Sequence, residues 1–133
     1  MLLFFMALSF EQQKPFTLED LRWKNRVLLV FSQNFDFQRS DELKQELADR
    51  KLVYFVFEDD IKSNSSYKFS ESYKSQLIKK YNQEPKNPKW ILLGLDGGVK
   101  LIEQSEINWE KAFRTIDSMP MRQSEIKNGF NQQ

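Results

Sequence analysis

Oxygen-bearing side chains follow two apolar runs of the sequence. Asn34 and Asp36 come after the first run, and the carboxylates Glu58, Asp59 and Asp60 come after the second. If both runs are parallel strands, these groups share the sheet edge where open α/β folds bind ligands. Such oxygens could hold Ca²⁺ or Mg²⁺. Their spacing matches no calcium-binding loop, however, and acidic strand ends are most often solvated, so we predict neither a metal nor a cofactor.

The composition excludes most other catalytic chemistry. The 133 residues include no cysteine and no histidine, which excludes thiolate nucleophiles, Cys/His zinc sites and imidazole bases. The 20 basic and 19 acidic side chains leave a formal net charge of +1, which provides no basic field for nucleic acid. We therefore expect no catalytic residue, no cysteine-dependent oxidoreductase or peroxidase activity and no nucleic-acid partner.

The first ten residues differ from the rest of the sequence. Residues 1–10, MLLFFMALSF, carry no charge, whereas charges occur steadily from Glu11 onward. The run is too short to cross a bilayer as a helix, so we predict no transmembrane segment. It has the character of a truncated signal peptide, which indicates export to the periplasm or the extracellular space. The alternative is a buried first strand or helical turn of a cytoplasmic protein.

A βαβ unit is predicted at the start of a single domain that spans residues 17–127. Continuous apolar runs over 26–32 and 52–57 are typical of strands buried on both faces. Between them, Ser40 can cap a helix that ends near Arg50. Parallel strands joined by a helix form a right-handed crossover with helices covering the sheet.

The second half of the domain predicts a helix, a hairpin and a last helix. The Asp96-Gly97-Gly98 turn requires a positive φ, which glycine supplies. The order βαβ, α, ββ, α predicts a thioredoxin-like α/β fold, with a mixed four-stranded sheet and helices on both faces. The predicted segments are a polar loop over 58–68, a helix over 70–81, strands over 90–95 and 99–103, a helix from Asn108 to a break at Pro120, and a polar tail over 128–133.

Three segments carry a family resemblance: LRWKNRVLLVF over 21–31, DGGVKL over 96–101 and IDSMPMRQ over 116–123. Together they resemble domain-of-unknown-function family 4174. Similar domains occur in vertebrate extracellular proteins of the sushi-repeat and coiled-coil-domain-containing types. The resemblance covers residues 18–126 and implies a thioredoxin- or peroxiredoxin-like fold and export, and it brings no established activity.

The peroxiredoxin-like implication concerns the loop after the first strand, where that fold places its reactive cysteine. In this sequence Asp36, Arg39 and Ser40 form a degenerate version of the loop, with Arg39 at the place of the cysteine. A guanidinium is cationic and is not a nucleophile. Pro88 stands one residue before the position of the thioredoxin-type cis-proline. Both departures predict a redox-inactive domain.

The family motifs contain the candidate binding residues. Residues 119–122 could form an adaptable docking ridge. We favour a C-terminal helix that locks the sheet, in which Arg122 pairs with Asp117 or Glu125. The candidates are Trp23, Lys24, Asn25, Arg26, Asp96, Gly97, Gly98, Lys100, Met119, Pro120, Met121 and Arg122.

Four polar or aromatic residues are expected to have no part in ligand binding. Trp23 is predicted to be a packing anchor, Arg26 an edge charge and Lys100 a solvated side chain. Asn64 begins an Asn-Ser-Ser glycosylation acceptor, to which we assign no role.

The leading functional hypothesis is a non-catalytic thioredoxin-like module that binds an unknown protein or envelope component. The rival is a cysteine-free, metal-assisted enzyme that uses the carboxylates at the sheet edge. A third reading is a purely structural or stress-associated domain without a specific partner.

Overall fold

The domain consists of a β-sheet with helices on both of its faces. The structure is a computed structural model that describes residues 14–131, so the predicted signal peptide at 1–10 and the last two residues of the predicted tail lie outside the described residues. In chain order the elements are a 3₁₀ helix (Leu18–Leu21), β1 (Arg26–Phe31), α1 (Phe37–Glu42), α2 (Lys44–Asp49), β2 (Leu52–Phe57), β3 (Ile61–Ser63), α3 (Glu71–Tyr81), β4 (Lys89–Leu93), β5 (Val99–Glu103), α4 (Trp109–Asp117) and α5 (Pro120–Asn131).

The sheet is mixed, and its strand order is β3-β2-β1-β4-β5. β1 pairs in parallel with β2, with Arg26 beside Leu52. The remaining pairings, β1 with β4, β2 with β3 and β4 with β5, are antiparallel. All residues of β1 and β2 are buried, as their continuous apolar runs predict.

The predicted four-stranded sheet is wrong by one strand. β3 lies inside the predicted polar loop and pairs with the end of β2, Ile61 beside Phe57. The Asn64 side chain then continues the pairing in place of a backbone. Its Oδ1 accepts from the Tyr54 N–H at 2.9 Å, and its Nδ2 donates to the Leu52 carbonyl at 3.0 Å. β3 has only three residues, Ile61–Ser63, so it is too short to show hydrophobic alternation.

Successive residues of the central strands supply two cores. On one face, Leu28 and Val30 pack with residues of α2 and α4, among them Trp109 and Ile116. On the other face, Val27 and Leu29 belong to the cluster that includes residues of the 3₁₀ helix and α3. Burial of apolar surface stabilises the folded state by about 25 cal/mol per Å². Because both faces of β1 and β2 are covered, polar residues at every second position would lose this stabilisation on one face.

The first helix begins earlier than predicted. Asp36 is its cap, since Asp36 Oδ1 accepts from the Arg39 N–H at 3.1 Å. The proposed cap, Ser40, is instead buried inside α1, and its Oγ lies 2.7 Å from the Phe37 carbonyl and 3.1 Å from Tyr54 Oη. Asp36 and Ser40 are both good caps by type. The burial of Ser40 against β2 decides between them.

The later elements follow the predicted order. Ser70 caps α3 and Asn108 caps α4. Pro120 begins α5 rather than only ending α4, because the first helical position needs no backbone N–H. The helix continues to Asn131, so the predicted polar tail starts inside α5. Among the described residues no peptide bond is cis, and Pro88 therefore lacks the thioredoxin-type isomer.

We expect replacement of Gly97 by alanine to lower the free energy of unfolding by about 1 kcal/mol, because Gly97 has φ +81° and a Cβ would lie 3.2 Å from the Arg22 side chain. The matched control is Gly129→Ala in α5, where a Cβ would meet no heavy atom within 4 Å. Urea unfolding of both variants measures the difference. Equal stability of G97A and G129A would contradict the assigned turn.

Candidate functional site

The family motifs meet at the amino end of β1. Because β4 runs antiparallel to β1, the turn between β4 and β5 lies beside the residues that precede β1. The Trp23 N–H donates to the Leu95 carbonyl at 2.7 Å, and Arg22 Nε donates to the Asp96 carbonyl at 3.1 Å. The first and second motifs, far apart in sequence, thus form one surface.

Trp23 is exposed, and its predicted role as a packing anchor is wrong. Its side chain is 62% exposed, whereas Leu21 is 1% exposed and is the residue that enters the core. The N–H groups of Lys24 and Asn25 both donate to the Leu21 carbonyl at 2.9 Å, which leaves Trp23 at the tip of a tight turn. Trp23 has φ +67°, a left-handed conformation that disfavours a bulky side chain.

A second strained residue lies at the same end of the parallel pair. Lys51, directly before β2, has φ +51°, and within residues 14–131 Trp23 and Lys51 are the only non-glycine residues with positive φ. The Asn25 Nδ2 donates to the Lys51 carbonyl at 3.2 Å and joins the two turns. Local strain of this kind concentrates at functional sites.

A groove of about 570 Å³ opens beside Arg22, the residue before Trp23, between the 3₁₀ helix, α3 and the turn between β4 and β5. Its lining includes the basic residues Lys14, Arg22 and Lys80 and the acidic residues Glu19 and Asp96. The charge of the lining is therefore slightly positive.

The Asp96 side chain forms its contacts within the turn between β4 and β5. Its Oδ1 accepts from the Gly98 N–H at 2.9 Å, and Lys100 Nζ lies 3.0 Å from its Oδ2. The backbone hydrogen bond from Gly98, followed by the hydrogen bond from Lys100, lowers the pKa of Asp96 below its ordinary value. Lys100, predicted to be solvated, is exposed and also forms this ion pair. A carboxylate held in this way shapes the turn and is a poor general acid at neutral pH.

Arg26 lies on the opposite face at the same end of the sheet, and its prediction as an edge charge is wrong. β1 is the middle strand of the sheet, and Arg26 is fully buried. Arg26 Nη1 donates to the Arg50 carbonyl at 2.9 Å and to Glu125 Oε2 at 3.2 Å. Its Nε and Nη2 have no hydrogen-bond partner in the described part of the chain.

An ion-pair network surrounds Arg26. Arg50 binds Asp117 through two parallel hydrogen bonds of 3.0 and 2.8 Å. Arg122 Nε donates to the same carboxylate at 3.1 Å, and Arg122 Nη1 lies 3.5 Å from Glu125. Arg122 thereby brings the third motif to the other two.

The network shifts the pKa values of its members. Burial alone would raise the pKa of Asp117, but the hydrogen bonds from Arg50 and Arg122 outweigh it and hold that pKa below its ordinary value. Burial alone would lower the pKa of Arg50, and its hydrogen bonds with Asp117 and Glu46 outweigh that effect and raise it. Both groups are therefore charged over the whole physiological pH range.

The methionines of the third motif are divided between core and surface. Met119 is partly buried and packs against the cluster beneath α4. Met121 is 48% exposed. Within residues 119–122, Met119 and Arg122 thus attach α5 to the rest of the domain, whereas Met121 is exposed.

Residues 17–125 match the family model described as a domain of unknown function, DUF4174. The chain belongs to this family. The match includes the three motifs that converge at the amino end of β1. No curated protein and no solved structure matches the chain. Within residues 14–131, no helix has both the length and the apolar character needed to cross a membrane.

The carboxyl end of the parallel pair in this DUF4174 domain carries the acidic groups that the sequence singled out. Asn34, Glu58 and Asp59 line one polar cleft with Ser32 and Glu106. The Ser32 hydroxyl donates to the Glu106 carboxylate. Among the described residues, no three acidic groups lie close enough together to hold a metal ion.

The other predicted members of that edge are separated from the cleft. Asp36 and Arg39 line a neighbouring cleft, and Asp60 lines neither of the two. Arg39, at the place of the peroxiredoxin cysteine, is exposed. Asp36 and Ser40 hold the start of α1, as described above.

Sequence reasoning missed the partners of Arg26. Arg50 and Glu125 lie 24 and 99 residues away from it, so no local spacing connects them. The available signal was Arg26 itself, a charge at the first position of a run buried on both faces. Such a charge requires a partner from elsewhere in the fold.

We expect acid to weaken the domain through Asp117. Because its folded pKa is below the ordinary value of 3.8, its contribution is complete above about pH 4 and is lost as pH falls through the folded pKa. The variant Asp117→Asn should be less stable than wild type at pH 7 and should lose less stability than wild type between pH 4 and pH 2. Urea unfolding across this range tests the expectation, with Asp60→Asn, an exposed carboxylate, as the control. A wild-type acid response retained in D117N would contradict it.

Proposed function

We propose that this chain is a non-catalytic binding module with a thioredoxin-like fold, and that it docks an acidic protein segment at the amino end of β1 with Trp23 as the anchor. The observation that carries the proposal is the exposed Trp23 on a strained turn that the family motifs hold in place.

The fold assignment is supported by the arrangement of four of the five strands. β2, β1, β4 and β5 follow one another in the sheet, with one parallel pair and a terminal hairpin. Helices cover both faces, and their order along the chain is the one expected from the sequence. β3 is an addition at the edge beside β2.

The non-catalytic assignment is supported by the loop after β1. The chain has no cysteine, and Asp36 and Ser40 are engaged in hydrogen bonds that fix α1. Arg39 offers a charge where a redox enzyme needs a nucleophile.

The binding role is supported by the conformation of the Trp23 turn. Folding gains little from an indole that is 62% exposed, and a positive φ at a non-glycine residue costs about 1–3 kcal/mol. Two hydrogen bonds across to the Leu95 and Asp96 carbonyls hold the turn. A tryptophan on a fixed turn loses little entropy on binding and is a frequent centre of protein interfaces.

The charges around Trp23 indicate the chemistry of the partner. Its neighbours Arg22 and Lys24 are both exposed, and Lys14 and Lys80 line the adjoining groove. A segment with carboxylates on either side of an apolar residue would satisfy both features. We further propose export, supported by the charge-free run at residues 1–10, so that the partner is a protein or envelope component outside the cytoplasm.

Selection from a displayed library of random peptides tests this proposal. We expect wild-type protein to enrich peptides in which acidic residues flank an apolar side chain. Trp23→Ala should weaken their binding by on the order of tenfold or more, as for a residue at the centre of an interface. Affinity is measured by calorimetry on the selected peptides.

Met121→Ala is the matched control, because it also truncates a large exposed side chain of a family motif but on α5. It should bind the peptides as wild type does. Failure to enrich any peptide, or equal affinity of W23A and wild type, would overturn the proposal. Loss of binding in M121A alone would move the docking surface to residues 119–122.

A further inference from the structure

The last helix is attached to the domain mainly by charge. None of residues 120–129 is fully buried, and the partly buried ones are Arg122, Glu125 and Ile126. Arg122 reaches Asp117 and also donates to the Asp49 carbonyl at 2.7 Å. A helix held with so little apolar burial can separate from the sheet at a lower cost than α3 or α4.

The carboxylate of Glu125 lies among three cations. Its oxygens are 3.2 Å from Arg26 Nη1, 3.5 Å from Arg122 Nη1 and 3.8 Å from Lys51 Nζ. Asp117 is shared between Arg50 and Arg122, and Glu46 pairs with Arg50, so neither carboxylate pairs with Arg26 or Lys51. Within residues 14–131, Glu125 is therefore the only carboxylate that pairs with Arg26 or Lys51.

Glu125 does not use all the donors that this site offers. Arg26 is completely buried, yet its Nε and Nη2 donate to nothing among residues 14–131. Buried donors without acceptors each cost about 1–3 kcal/mol. A carboxylate has two oxygens, whereas a phosphate group has at least three acceptor oxygens and carries about −1.5 to −2 charges at neutral pH.

We propose that Arg26 and Lys51 form an oxyanion-binding site, which the chain closes with Glu125 of its own α5. A phosphate-bearing ligand replaces the Glu125 carboxylate, and α5 moves aside as it does so. The extra oxygens of the ligand accept from the guanidinium donors that Glu125 leaves unused. This site lies on the face of the sheet opposite to the groove lined by Arg22 and Val27, so the inference goes beyond the proposed function and does not depend on it.

Inorganic phosphate is the probe, and the full chain is compared with its Glu125→Gln variant. Thermal unfolding is followed in phosphate and in sodium chloride of equal ionic strength, so that general screening is held constant. We expect E125Q to be less stable than wild type in chloride and to regain stability in phosphate along a saturable curve. Wild type should respond in the same way with an affinity lower by about tenfold or more, because Glu125 competes for the site.

Glu110→Gln is the matched control, since it removes one negative charge from an exposed position on α4 outside the network. It should respond to phosphate as wild type does. Glycerol phosphate, in a parallel titration, distinguishes a phosphate monoester from free phosphate as the preferred ligand.

If E125Q does not fold, the proposal is tested on the wild-type protein alone. Phosphate should shift the backbone amide resonances of residues 26, 51, 122 and 125 saturably, and chloride should not. The proposal is overturned if phosphate and chloride act alike on both proteins, if E110Q gains as much as E125Q, or if wild type binds as tightly as E125Q.

Discussion

A guanidinium buried in the middle strand is the constraint on which the rest of this structure depends. Taking an arginine out of water costs several kcal/mol unless other groups compensate for its charge. The chain compensates for Arg26 with a backbone carbonyl at the end of α2 and a carboxylate from α5. The junction before β2, the end of α4 and the start of α5 are therefore tied to the first residue of β1. Between them, Arg50, Asp117 and Arg122 keep these segments together.

This constraint also places the family motifs. In open α/β sheets, ligands usually bind where the parallel strands end, and the polar cleft lined by Asn34, Glu58 and Asp59 is at that edge. The motifs converge instead where the parallel strands begin. There the buried charge is on one face, and the two strained turns, one of which carries the exposed Trp23, are at the same end of the parallel pair. The charged site around Arg26 and the exposed surface around Trp23, which differ in chemistry, thus lie at the same end of β1.

Elements specified by local pattern could be predicted from the sequence. The apolar runs of β1 and β2, the glycine turn before β5 and the caps of α3 and α4 need no information from elsewhere. Three other features depend on tertiary contacts. Asn64 pairs as a side chain with the edge of β2, Ser40 is drawn into the core, and Arg26 finds Glu125 across most of the sequence. The burial of Trp23 and Arg26 is the reverse of the expected one, because residue type alone does not reveal that Leu21 enters the core in place of Trp23 or that β1 is the middle strand.

The separation of Arg26 from Glu125 has a consequence for the order in which the protein is made. The two residues are 99 positions apart, so a ribosome completes β1, β2 and the hairpin long before α5 emerges. During that interval the middle strand carries a cation without its carboxylate, and closing the sheet around it is unfavourable. Final packing of the sheet around Arg26 is consequently coupled to the synthesis of α5, because its carboxylate partner is made 99 residues after it.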